Sequence, residues 1–166
     1  IIQAARIKYS GEAPKLRDMI LASTDIMGGL ATKVAPVANF ALGLKPTKVV
    51  MDAVLKVDKH RTFPKYASRT FESWYKKNVK AFQDSFKRHV SFFHGCYVNY
   101  NYPQLGKDLI SVMNALGYGV HLLENEKCCG TALISNRMID QAKKNAVNNI
   151  ESIRKSVYER QMPVIG

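Results

Sequence analysis

Cysteines are few in this 166-residue sequence, and two of the three, Cys128 and Cys129, are neighbours. Adjacent residues are poorly placed to bond each other, so the composition argues against a disulfide framework and for a reducing compartment. Long apolar runs are missing too. The charge-free stretch 34–44 has eleven residues and is interrupted by Pro36, whereas a membrane-spanning helix needs roughly 20. No Gly-x-Gly-x-x-Gly is present, which removes the dinucleotide-binding fingerprint. Nucleophilic catalysis by cysteine needs a positioned base, and no orienting carboxylate is evident for either His94 or His121. There is no internal repeat and no low-complexity tract. What remains is an ordinary globular composition, 46% hydrophobic and 23% charged.

Acidic residues are heavily outnumbered on one side only. Residues 1–88 hold 17 Lys and Arg against 7 Asp and Glu, while residues 89–166 hold 8 against 6. Most of the +12 net charge therefore belongs to the first half. Such a field favours anionic partners: lipid, nucleic acid or an acidic protein surface. Pattern reading makes residues 1–13 irregular and starts a helix at Pro14, weakened near Gly28 and Gly29. A further helix opens at Pro46, with Val49, Val50, Ala53, Val54 and Val57 on one stripe. The stretch 34–44 reads as a buried helix–helix contact or as a segment lying on a membrane or partner. Phe71, Trp74, Tyr75, Val79, Phe82 and Phe86 recur at helical spacing, opposite Arg69, Lys76, Lys77, Lys80 and Lys87. Because these aromatics face away from the lysines, the pattern favours a core over base stacking, and nucleic acid is not expected.

All three cysteines lie in the second half, where the period alternates. Residues 90–94 read as a short buried strand ended by Gly95. Pro103 opens a helix with Leu105, Leu109, Val112, Met113 and Leu116 on one stripe, stopped by Gly117. Residues 120–123 form a second strand, and a long helix follows with Ile139, Ala142, Ala146, Ile150, Ile153 and Val157 on one face. A third strand begins at residues 163–165. This order predicts an α/β fold: a helical region, 1–88, packed on a small three-layer unit, 89–166, with a short parallel sheet of βαβαβ type. In parallel strands Cys96, after the first, and Cys128 and Cys129, after the second, share the carboxyl edge where open α/β sheets place ligands.

Three thiolates at one edge admit several chemistries. They can be buried small apolar groups. They can hold an iron–sulfur cluster, for which soft anionic sulfur is the natural ligand. With His94 they can hold a structural zinc. Gly95 and Gly130 would let the backbone approach a bound group closely. Tyr97, Asn99 and Tyr100 follow Cys96 and can line the site behind it, as can His94.

The phrases Phe93-His94-Gly95-Cys96-x-Val98-Asn99-Tyr100, Pro103-Gln104-Leu105-Gly106-Lys107-Asp108 and Lys127-Cys128-Cys129-Gly130 resemble the cysteine-rich CCG domain family. The resemblance is strongest to its branch in anaerobic glycerol-3-phosphate dehydrogenases, and it covers residues 63–166 well. It implies a non-catalytic electron-transfer subunit, holding an iron–sulfur cluster of 4Fe-4S type through Cys96, Cys128 and Cys129. The implied partners are flavin-containing dehydrogenase subunits, membrane menaquinone and the membrane surface, with peripheral attachment at the cytoplasmic face of the inner membrane. The family usually has a further cysteine after the third strand, a ferredoxin-like segment and a second cysteine-rich repeat, none of which is in this sequence. Together with Ile1 in place of an initiator Met, this leads to the expectation of a piece of a longer protein, cut at the C-terminal side of the α/β unit. With three thiolates where about four are usual, the chain by itself, purified in air, is expected to hold no intact cluster.

Overall fold

A computed structural model describes residues 14–166; the segment expected to be irregular, 1–13, lies outside them. Four helices come first: α1 (Leu16–Ala22), α2 (Thr24–Lys33), α3 (Ala35–Gly43) and α4 (Lys45–Leu55). Pro36 and Pro46 sit in the first turns of α3 and α4, where a missing N–H costs nothing. Pro36 thus opens a helix rather than interrupting one. The helix expected from Pro14 divides at Ser23, not at the glycine pair. Gly28 has a packing role instead: a Cβ there would lie 2.4 Å from Cδ2 of Tyr100.

The expected aromatic helix also divides, into α5 (Phe71–Asn78) and α6 (Lys80–Gln83). The break brings Gln83 to the edge of the sheet. There the Val120 N–H donates to Gln83 Oε1 at 2.9 Å, and the Tyr75 hydroxyl donates to the Val120 carbonyl at 2.8 Å. Both backbone groups point away from the neighbouring strand and would otherwise be unpaired, so two buried side chains close an edge that a sheet normally leaves open.

Strand β1 (Arg88–Phe92) is followed by α7 (Gly95–Tyr100) and α8 (Pro103–Ala115), then β2 (Tyr118–Leu122), α9 (Thr131–Ser135), α10 (Ile139–Arg154) with a π turn at Lys155–Glu159, and β3 (Val164–Ile165). The strands are parallel, in the order β2-β1-β3. The expected α/β arrangement is therefore present, in a chain that is mostly helical. Both observed long strands begin two residues before the periodicity placed them.

One core cluster joins Phe71 and Tyr75 of α5 to Val90, Phe92, Val98, Ile110 and Val120. Alternation in β1 puts Val90 and Phe92 on this face. Ser91 faces the other way and accepts from the Ser156 hydroxyl at 2.6 Å. The two crossover stripes are rotated from expectation. On α8 the buried positions are Gly106 and Ile110, because the Phe71 ring lies against Gly106, while Leu105, Val112 and Leu116 stay exposed. On α10 Ala142 and Asn149 are buried, while Ala146 and Ile150 are exposed.

Candidate metal site

The carboxyl edge of the sheet is built by two loops and the start of one helix. The first loop leaves β1 through His94 and enters α7 at Gly95, whose φ of 68° is open to glycine at no steric cost. The second runs from β2 to α9 and carries the three residues Cys128, Cys129 and Gly130, the last with φ 89°. Glu126 ties the loops together. Its carboxylate, almost fully buried, accepts from the main-chain N–H of His94 at 3.1 Å and of Gly95 at 2.7 Å, and lies 2.9 Å from His94 Nδ1.

The second loop is held from behind by asparagines of α10. Asn149 accepts from the Lys127 N–H at 2.8 Å and donates to the Lys127 carbonyl at 3.0 Å. Asn145 donates to the Cys128 carbonyl at 3.2 Å, and Asn148 to the Asn125 carbonyl at 2.6 Å. A loop without regular structure leaves backbone donors and acceptors to be satisfied, and an amide side chain offers both. This is why the inner face of α10 is polar where periodicity suggested an apolar one.

Within this frame Cys96 Sγ and Cys128 Sγ are 4.0 Å apart. Thr24, at the start of α2, donates its hydroxyl to Cys128 Sγ at 3.4 Å, and Asp25 Oδ2 accepts from the Cys128 N–H at 3.1 Å. A carboxylate oxygen of Asp25 and the two sulfurs lie within 4.8 Å of one another, the one such metal-capable group among the described residues. The cleft beside them encloses about 270 Å³ and is lined by Asp25, Glu72, His94, Cys96, Glu126 and Cys128 among others. Cys129 is exposed and lies outside this group, with Sγ 3.3 Å from Thr131 Oγ1.

The thiols share charge unequally. The hydrogen bond from Cys96 pulls the Cys128 thiol down to about 5 against the opposing effect of burial, and the Thr24 hydroxyl and Gly130 backbone assist. The same bond, with burial, pushes Cys96 up. Negative charge in the pair is thus drawn towards Cys128, where the Thr24 hydroxyl and the Gly130 backbone add to the pull. The spacing fits a metal. Two sulfurs each about 2.3 Å from one tetrahedral ion stand about 3.8 Å apart, close to the 4.0 Å observed.

Residues 90–162 match the family model described as the CCG cysteine-rich domain. This part of the chain belongs to the CCG cysteine-rich domain family. Over its full length it is 53% identical to a subunit of the anaerobic glycerol-3-phosphate dehydrogenase of Escherichia coli (strain K12), and it spans 42% of that relative. It is 36% identical over 72 residues, 43% of this chain and 15% of the relative, to an uncharacterized iron–sulfur protein of Methanocaldococcus jannaschii. With a subunit of the fumarate reductase (CoM/CoB) of Methanothermobacter marburgensis it shares 31% identity over 88 residues, 51% of this chain and 18% of the relative. No solved structure matches the chain.

In this CCG domain the residues singled out from sequence take different places. Cys96, Cys128, His94 and Gly95 line the cleft. Asn99 is buried, and besides lining the cleft its side-chain oxygen accepts from the Glu72 N–H at 3.0 Å, at the start of α5. Tyr97 is exposed. Asp25, Thr24 and Glu126 were not singled out. Asp25 and Thr24 lie about a hundred residues from Cys128 in the basic half, and no local pattern connects them to it. Glu126 had a weaker signal, standing two residues before Cys128 in a loop that must be anchored.

Proposed function

We propose that this chain is the metal-holding part of an electron-transfer subunit in a flavin dehydrogenase complex of the anaerobic glycerol-3-phosphate type. The observation that carries the reading is the convergence of Cys96 and Cys128, 4.0 Å apart, in a cleft at the carboxyl edge of the sheet. Cys96 and Cys128 would hold an iron–sulfur centre, with Cys129 supplying a thiolate from the outer side of the same turn. Such a centre, when bound, supplies reversible one-electron uptake. The chain's own residues fix the ligands. Glu126 joins the two ligand loops, the α10 asparagines hold the second, and the Gly95 and Gly130 turns set the direction in which each cysteine leaves the backbone.

Electrons would come from a flavin-bearing subunit and leave towards menaquinone, at the cytoplasmic face of the membrane. Two features support a membrane surface. Residues 1–88 are strongly basic, and helices α2 to α4 leave Ile26, Leu30, Val37 and Phe40 exposed beside Lys33, Lys45 and Lys48. No helix among the described residues is long and apolar enough to cross a membrane.

Reduced protein incubated with ferrous iron and sulfide without oxygen tests the metal reading. Iron and acid-labile sulfide should bind together, and Cys96→Ser with Cys128→Ser should abolish uptake. Equal uptake by that double variant would overturn the assignment, and one zinc per chain with no sulfide would favour a structural metal instead. Protein purified in air is expected to be colourless. Vesicles with and without anionic lipid test the surface: binding should need the anionic lipid and weaken with salt.

A further inference from the structure

Asp25 has no partner that explains its position by charge. It lies on the basic helical half, yet no Lys, Arg or His among the described residues forms an ion pair with it. Instead its carboxylate turns towards two sulfurs, one of them belonging to the residue whose N–H it accepts. A half-buried carboxylate beside two thiol groups raises the cost of charge on both sulfurs, since like charges in one partly desolvated cleft repel. A cation in their midst reverses the sign of each of those interactions.

We propose that Asp25 is a direct oxygen ligand, so that the site of this chain is a mixed Cys96–Cys128–Asp25 centre and the helical half supplies one of its ligands. This rests on the metal reading above and adds to it a ligand that lies outside the matched domain, residues 90–162. The geometry accounts for the choice of residue. Asp25 stands in the first turn of α2, and α2 is seated against α7 by the close approach of Gly28 to the Tyr100 ring. That seat brings the first turn of α2 over the Cys128 loop, where Thr24 and Asp25 reach Cys128 from one side and Cys96 from the other loop. A carboxylate offers two oxygens, so accepting from the Cys128 N–H leaves capacity to bind a metal. Two sulfurs and one oxygen suit a borderline divalent ion and leave a further position for another ligand.

Cobalt(II) is the probe, because cobalt–thiolate charge-transfer bands report sulfur ligands and the visible bands report geometry. Reduced protein titrated with cobalt(II) without oxygen should develop both. Asp25→Asn keeps an acceptor for the Cys128 N–H but removes the charged ligand; it should weaken cobalt binding by about tenfold or more and change the visible bands, with far-ultraviolet circular dichroism unaltered. Asp25→Cys should restore tight binding and raise the charge-transfer intensity above the parent's, as one more sulfur joins Cys96 and Cys128. Asp25→Asn binding cobalt as tightly as the parent, with the same spectrum, would overturn the proposal and leave Asp25 as a support for the loop. The iron and sulfide assay fails or succeeds separately: loss of cluster reconstitution with cobalt results as expected would sink the electron-transfer reading and leave the ligand assignment standing.

Discussion

The helices of residues 16–55 and the layer formed by residues 71–122 treat their apolar side chains in opposite ways. In the second, Phe71 and Val120 are wholly buried and Ile110 is 2% exposed. In the first, Val37 and Phe40 are 69% and 70% exposed, and α4 has no buried residue at all. Yet it is the loosely packed region that sends Thr24 and Asp25 into the cysteine cleft. Hydrophobic burial, the main favourable term in folding, is concentrated where the strands are. The chemistry of the site is assembled across both regions. Substitutions in the sheet layer should therefore remove fold and site together, while substitutions in the first helices should remove the site and leave the sheet.

The largest effect belongs to Phe71. Its ring stacks at 5.9 Å on Trp74, meets Phe92 edge-on at 5.9 Å and covers Gly106. Phe71→Ala should cost about 3 to 5 kcal/mol, read as a fall in the urea midpoint, and metal uptake should fall with it. Full stability in this variant would mean that the core does not depend on α5.

Gln83 comes next. It is wholly buried, and its side chain is the acceptor for the Val120 N–H. Gln83→Leu keeps the volume and leaves that donor unsatisfied, which should cost about 1 to 3 kcal/mol. Hydrogen exchange at Val120 gives the local check: its protection should drop more than that of β1 amides.

Gly28 sharpens the comparison from the other side. Gly28→Ala would push a methyl group into the Tyr100 ring and lift α2 from α7. The stability cost should be about 1 kcal/mol, near the low end for overpacking, because α2 buries little. Cobalt binding should fall by a larger factor than for any surface control, since Thr24 and Asp25 ride on the same helix. Unchanged binding would show that the site does not need the seat.

The sheet was legible from sequence because three signals agreed: short apolar runs, prolines at helix starts and glycines after strands. The parallel order followed from alternation, and the shared edge of Cys96 and Cys128 followed from the parallel order. The rotated stripes of α8 and α10 were not legible, since periodicity counts apolar residues and cannot know that Gly106 admits a phenyl ring or that a loop needs Asn145, Asn148 and Asn149. Asp25 was hidden for a different reason: its part in the site depends on how two halves dock, which no local pattern encodes. Gln83 was hidden likewise, as a polar residue on an aromatic helix whose value appears only at the strand edge.

The smallest expected effect concerns pH and lies on the sheet face away from the aromatic core. His121 Nε2 is 3.0 Å from His89 Nδ1 across the β1–β2 pair, and Asp84 lies 3.9 Å from His121 Nδ1. Burial lowers the His121 pKa from its ordinary 6.5, His89, Arg160 and Lys80 lower it further, and Asp84 opposes them. A histidine whose folded pKa is depressed binds its proton more readily unfolded. Its contribution is thus indifferent above about pH 6.5 and turns destabilising as pH falls from there through the folded value. Because the side chain keeps about a fifth of its surface in solvent and the Asp84 carboxylate offsets part of the effect, the loss should be smaller than that of any substitution above. Urea midpoints at about pH 7.5 and about pH 5.5, either side of the ordinary histidine range, read it against the variant His121→Gln, which cannot take up the proton. The parent should lose more stability than the variant over that interval, and equal losses would place the pH sensitivity elsewhere. The sensitivity belongs to the well-packed layer alone, so the Gly28→Ala variant, with its sheet intact, should show the same dependence as the parent.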